Sequence, residues 1–317
     1  MDFLMIAGGF GGLILGGNML VQGAVSIATR LKISPMIIGL TLVGFGTSTP
    51  ELVTSVQAAF AGSPGIAVGN VIGSNIANIL LILGISALMS PILVNAAALK
   101  RDGTVLILAS LLCLAVVLYG EVGRIAGGIL LLSLFLYLSG TIYAERRAKT
   151  VAAEVYLSEA ETLSPTEKPL WWNVIVLISG MAITILSAGY VVQGAVSLAT
   201  ELGISETVIG LTIIAIGTSL PELITSVIAA RKGQSDVALG NVIGSNIFNI
   251  LGILGVTALL QPMDIPAAIV TQDIWIMLGV TALFVIFART GWRISRREGL
   301  VMALGYCAYV GYLLASA

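Results

Sequence analysis

Two glutamates, Glu51 and Glu222, each stand in a long apolar run and each close the same hexapeptide pattern, Gly46-Thr47-Ser48-x-Pro50-Glu51 and Gly217-Thr218-Ser219-x-Pro221-Glu222. A carboxylate at the middle of a spanning helix costs a few kcal/mol or more, so it needs a partner. Neither motif holds Lys or Arg, and the chain has no histidine. The simplest partner for both carboxylates is a bound cation, or protons when the cation is absent. Thr47 and Glu51 stand at i and i+4, as do Thr218 and Glu222, so hydroxyl and carboxylate share a helix face and reach one ion. Ser74 and Asn78 repeat this spacing, mirrored by Ser245 and Asn249, within Gly-Ser-Asn-Ile-x-Asn in each half. Ca2+ takes roughly six to eight oxygens, usually with carboxylates among them. The carboxylates, hydroxyls and amides of these motifs exceed that demand and leave oxygens for Na+. Asn75 and Asn246 either ligate or tie helices together through interhelical hydrogen bonds.

Pro50 and Pro221 precede the glutamates, and a proline in a helix removes the bond to the carbonyl four residues earlier. Those carbonyls belong to Gly46 and Gly217. Interrupted helices at membrane depth are tolerated where they line a cavity, and their freed carbonyls suit Na+ or Ca2+. The plainer reading is a packing kink.

Positioning these groups falls to a duplicated chain. Residues 39–92 return without insertion or deletion as 210–263, agreeing at 33 of 54 positions at a constant offset of 171. The same offset matches residues 21–26 with 192–197 and Asp102 with Asp273, so the repeated unit covers nearly the whole chain. Hydrophobic residues make up 57% of it and charged residues 10%, so the surrounding solvent is a bilayer. The apolar runs are continuous rather than alternating, which favours helices over a barrel. Ten spans are expected near residues 3–29, 35–61, 66–90, 103–119, 124–143, 173–200, 206–230, 237–260, 273–289 and 297–315. No Lys or Arg precedes the first, whose long run is unlike a cleavable signal, so it is expected to stay.

The loops after odd-numbered spans hold fourteen of the fifteen Lys and Arg residues, and the even-numbered side holds only Arg124. That asymmetry places the odd loops in the cytoplasm and both termini outside, in the plasma (inner) membrane. Each repeat has an odd number of spans, so the halves enter the bilayer in opposite senses. Arg30 and Lys32 correspond to Glu201 and Gly203, whereas Arg231 and Lys232 correspond to Phe60 and Ala61, the exchange that inversion requires. The expected organisation is an all-α membrane protein with a five-helix repeat over 1–143, a cytoplasmic linker over 144–170 and an inverted five-helix repeat over 171–317. Paired glycines such as Gly69 with Gly73 and Gly240 with Gly244 let helices approach closely. Cys113 and Cys307 are not equivalent under the offset and are expected to be small apolar core residues.

An intramembrane enzyme is excluded by the absence of a Ser/His pair, a zinc motif or paired Gly-x-Gly-Asp aspartates. No Gly-x4-Gly-Lys loop is present, so an ion gradient supplies the energy. An inverted repeat around a midplane site disfavours a passive channel.

Both motifs, in both copies and in order, closely resemble the calcium/cation antiporter superfamily, and specifically its sodium/calcium exchanger branch. The proton-coupled branch typically shows Gly-Asn-x-x-Glu instead. The resemblance covers all ten spans and implies a diamond of cation sites among the second, third, seventh and eighth. By it, Glu51 and Glu222 bridge Ca2+ and, in turn, Na+; Thr47 and Thr218 add to the Ca2+ site; Ser48 and Ser219 help form flanking Na+ sites. Ser74, Asn78, Ser245 and Asn249 complete them, and Gly44 and Ala215 supply backbone carbonyls. The first and sixth helices resemble a pair that slides across the core. Asn249, where some relatives carry Asp, argues against potassium cotransport, and no large regulatory insert is present. The implied activity is three-for-one, electrogenic Na+/Ca2+ exchange by alternating access, with Na+ and Ca2+ as transported ions and no cofactor. A proton-coupled antiporter of Ca2+ or another divalent cation is the alternative. The bilayer is the expected partner, with no nucleic acid and no obligate protein partner.

Overall fold

The computed structural model describes residues 2–31, 33–147, 168–202 and 215–316. Its helices are α1 (Asp2–Leu31), α2 (Pro35–Thr47), α3 (Thr49–Phe60), α4 (Pro64–Met89), α5 (Ala96–Tyr119), α6 (Arg124–Ala144), α7 (Leu170–Glu201), α8 (Ala215–Thr218), α9 (Leu220–Arg231), α10 (Ser235–Leu260), α11 (Ile269–Arg289) and α12 (Arg296–Ala315). Among the described residues eight helices are long and apolar enough to cross a membrane, and nine when α2 and α3, bent by 43° at their break, are counted together as one span. Residues 206–214 of the seventh expected span and most of the 144–170 linker lie outside the described residues.

The structure sharpens several expected boundaries. α5 begins at Ala96 rather than near 103, because Asn95 caps it, accepting from Ala97 N and Ala98 N, and a π-helical turn over Leu99–Gly103 carries Lys100, Arg101 and Asp102. Charge there does not end the helix: Arg101 Nε and Nη2 clasp Asp102 at 2.8 and 2.9 Å, and Tyr137 on α6 donates to the same carboxylate. Such bidentate pairing lets Asp102 be fully buried. Cys113 is buried as expected, whereas Cys307 is exposed on α12, whose outer face meets lipid instead of the core.

α4 and α10 form the centre, with 78% and 83% of their spanning windows buried, against 22% for α6 and 17% for α12. α2 packs on α10, α3 on α4, and α9 on α10 and α4. Outside this core, α1 and α7 lie along each other over most of their length. At about 45 Å or more each, they exceed the ~30 Å hydrocarbon core and must tilt or protrude.

Glycine makes both close crossings possible. A Cβ on Gly16 would sit 2.8 Å from the Gly180 carbonyl oxygen, and one on Gly180 2.5 Å from Leu20 N. On the α2–α10 crossing, a Cβ on Gly39 would meet Val237 O at 2.9 Å and one on Gly240 would meet Met36 O at 2.6 Å.

Short strands tie the ends of the bundle. β1 (Ile92–Leu93) pairs antiparallel with β4 (Arg293–Ile294), and β2 (Glu121–Val122) with β3 (Met263–Asp264). The loops before α5 and α12 therefore meet at one end, and those before α6 and α11 at the other. Leu93 N donates to Ser235 Oγ and Arg296 Nη2 to Met89 O, which brings Arg231, Lys232, Arg293 and Arg296 to the β1–β4 end. At the opposite end Arg124 Nε donates to Leu259 O.

Candidate cation site

Both proline-containing helices break rather than kink. α2 ends at Thr47, Ser48 takes φ −82° and ψ 10°, and α3 restarts at Thr49 with Pro50 in its first turn. Proline is tolerated there because first-turn amides have no intrahelical acceptor. The second half repeats this, with Ser219 at φ −91° and ψ 6° between α8 and α9. Each break puts Ser48 or Ser219 in the gap and Glu51 or Glu222 in the first turn beyond it.

At these breaks the two halves exchange contacts. Ser48 Oγ donates to Glu222 Oε1 at 2.8 Å, and Ser219 Oγ donates to Glu51 Oε1 at 3.3 Å. Each hydroxyl thus bonds the glutamate of the other repeat. Both carboxylates are 1% exposed, and Oε2 of each has no hydrogen-bond partner. Among the described residues the ion pair found is Arg101 with Asp102, so no cationic side chain neutralises either glutamate. A buried carboxyl with one oxygen uncommitted and no basic partner is left to take a proton or a cation admitted beside it.

Neutral oxygens surround this pair. Thr47 Oγ1 lies 3.0 Å from Val43 O, 3.3 Å from Gly44 O and 3.3 Å from Asn241 Oδ1. Ser245 Oγ donates to Gly44 O at 3.1 Å, a reach allowed by the glycine-lined α2–α10 crossing. Phe45 and Phe248 stack at 4.4 Å across the same contact. Asn78 opens a π-helical turn over Asn78–Leu83, and Asn249 sits in its counterpart over Phe248–Ile253. Such turns shift side chains and loosen the local backbone ladder, and they recur at functional sites. Asn78 Nδ2 donates to Asn246 Oδ1 at 3.2 Å, while Asn78 Oδ1 and both amide atoms of Asn249 are without partners.

Glu51, Glu222, Thr47, Ser48, Ser219, Ser74, Asn78, Ser245 and Asn249 are all buried, on α2 to α4, on α8 to α10 or at the breaks between them. Gly44 joins them through its carbonyl. Thr218 is half-buried at the last residue of α8, and Ala215 opens that helix at the edge of the described residues. Of the two asparagines left open by the sequence, Asn246 ties α10 to α4, whereas Asn75 donates to Val71 O in its own helix at 2.7 Å.

Sequence reasoning missed a supporting layer. Asn70 Nδ2 donates to Glu51 O and Ser55 Oγ, and Asn241 Nδ2 donates to Glu222 O and Ser226 Oγ. Each amide clamps the helix turn that carries a glutamate. The signal was present: Asn70, Ser74 and Asn78 form one i, i+4, i+8 stripe, repeated at Asn241, Ser245 and Asn249. A separate cavity of about 280 Å³ beside α8 is lined by Phe10, Val191, Val192, Ile216, Gly217 and Leu220. Its apolar walls offer no cation ligands.

The family described as sodium/calcium exchanger protein matches residues 1–143 and 172–315. The protein CaxA of Alkalimonas amylolytica is 43% identical over 96% of this chain and 95% of its own length. The sodium/calcium exchanger MaX1 of Methanosarcina acetivorans is 34% identical, over 98% and 97%. A solved structure of the sodium-calcium exchanger NCX_Mj, soaked with Na+ and Ca2+, superposes with a TM-score of 0.83 at 32% identity, over 98% and 97%.

Proposed function

Because the chain belongs to the sodium/calcium exchanger family, we propose that it is a secondary antiporter that exchanges Na+ for Ca2+ at the paired glutamates. It is an integral membrane transporter of cations, not an enzyme. The observation that carries the reading is the pair of fully buried carboxylates, each held by one hydroxyl from the other repeat and each with Oε2 uncommitted.

Ca2+ is the natural ligand for two carboxylates amid hydroxyl, amide and backbone oxygens. Glu51 and Glu222 hold it or Na+, with Thr47, Thr218, Ser48, Ser219, Ser74, Asn78, Ser245 and Asn249 and the carbonyls of Gly44 and Ala215 completing the ligand set. Either cation load neutralises the carboxylates, which lets the occupied site pass the apolar barrier. An uncompensated site stays put, and that penalty couples the two fluxes. One Ca2+ balances two carboxylates, whereas three Na+ leave one positive charge, so exchange is electrogenic.

The architecture we assign is ten spans in two inverted repeats, 1–143 and 171–317, joined by a cytoplasmic linker over 144–170. The β1–β4 end, where basic residues gather, faces the cytoplasm of the plasma (inner) membrane, and both termini lie outside. α1 and α7 slide along the core between inward-open and outward-open forms.

The test is radiolabelled Ca2+ uptake into Na+-loaded proteoliposomes diluted into Na+-free buffer. Uptake should require internal Na+ and respond to membrane potential. Uptake that ignores Na+ and follows a pH gradient would instead assign proton coupling.

A further inference from the structure

Building on the proposed cation site, we infer that Asn246 is a positioning residue that orients the Asn78 amide toward the ion, and that the two halves of the site are unequal for this reason. Asn78 and Asn246 are 2% and 0% exposed, on α4 and α10, and meet where the π-helical turn of α4 packs on α10. Asn78 Nδ2 donates to Asn246 Oδ1 at 3.2 Å. The oxygen and nitrogen of an amide lie on opposite arms of one plane, so holding the nitrogen decides where the oxygen points. Asn78 Oδ1 is thereby left as a buried acceptor with no donor.

Asn246 acts through Asn78 rather than on the cation. Its Oδ1 accepts from Asn78 Nδ2 along one of its two lone-pair directions, and its unpartnered Nδ2 is a donor that cannot ligate a metal ion, so the bond the structure gives Asn246 runs to Asn78. Outer groups of this kind orient metal-binding side chains and tune affinity.

The 171 offset makes Asn75 the equivalent of Asn246 and Asn249 the equivalent of Asn78, yet the second pair is not joined. Asn75 Nδ2 turns to Val71 O at 2.7 Å, and Asn75 Oδ1 and both amide atoms of Asn249 are unpartnered. One amide ligand is therefore preset by the protein, and the other must be set by the ion.

Calorimetric Ca2+ titration of the purified full-length protein tests this, using wild type, Asn246→Ala, Asn78→Ala, the double variant and Asn246→Asp. Asn246→Ala should raise the Ca2+ Kd about tenfold or more. Added to Asn78→Ala it should cost nothing further, and Asn246→Asp, which keeps an oxygen acceptor for Asn78 Nδ2, should recover most of the loss. Additive losses would make Asn246 a direct ligand and overturn the inference. An unchanged Kd with a lowered thermal midpoint would reduce it to packing, with the same result. If Asn246→Ala does not fold, Asn246→Ser, too short to reach Asn78, takes its place. Wild type that binds no Ca2+ would refute the proposed function itself, an outcome distinct from these.

Discussion

Each glutamate commits half of its carboxylate to a serine of the other repeat and keeps Oε2 uncommitted. Removing one charge by Glu51→Gln or Glu222→Gln should weaken Ca2+ binding by about 3 kcal/mol, on the order of a hundredfold in Kd. Both variants should lose Na+-dependent uptake, and full activity in either would refute the site. Ligand linkage supplies a second readout. Ca2+ at roughly a hundred times its Kd should stabilise wild type by about 2.7 kcal/mol, seen as a raised thermal midpoint in detergent. In either glutamine variant that stabilisation should fall to about 0.4 kcal/mol at the same concentration.

At the level of elements, the broken helices and the glycine crossings divide the work. The breaks at Ser48 and Ser219 present hydroxyls and carboxylates, while Gly39, Gly44, Gly240 and Gly244 bring α2 against α10 closely enough for Ser245 to reach Gly44 O. The α1–α7 crossing is as tight. Gly16→Val would drive its Cβ against Thr184 and the Gly180 carbonyl, an overpacking that costs about 1–3 kcal/mol and should lower the thermal midpoint. Gly8→Val, on the same helix with nothing within 4 Å, should leave the midpoint in place. Equal effects of the two would mean that this crossing does not hold the fold.

Over the whole molecule, the β1–β4 and β2–β3 pairs assign the loops to two opposite ends, and the basic residues gather at the first. With the native cysteines changed to serine, a membrane-impermeant maleimide added to intact cells should label Ala61→Cys and Ala315→Cys but not Lys232→Cys. Labelling of Lys232→Cys from outside would reverse the assigned orientation.

Much of this was legible in residue type and spacing. Burying Glu51 and Glu222 in apolar runs without a basic partner demands a cation or proton, and an offset of 171 with no gap demands matched halves, whatever the detailed packing. Charge asymmetry likewise reads along the chain, because the loops that resist translocation are named by their Lys and Arg. Tertiary structure decided which groups meet. The sequence placed Thr47 beside Glu51 on one helix face, but a break at Ser48 turned the serine away from its own repeat and onto Glu222. It likewise left Asn75 and Asn246 as equals, and only packing separated them, sending one amide to its own backbone and the other across to Asn78. Local spacing specifies which face a side chain occupies. Which neighbour it finds there depends on helices about 170 residues apart in the chain.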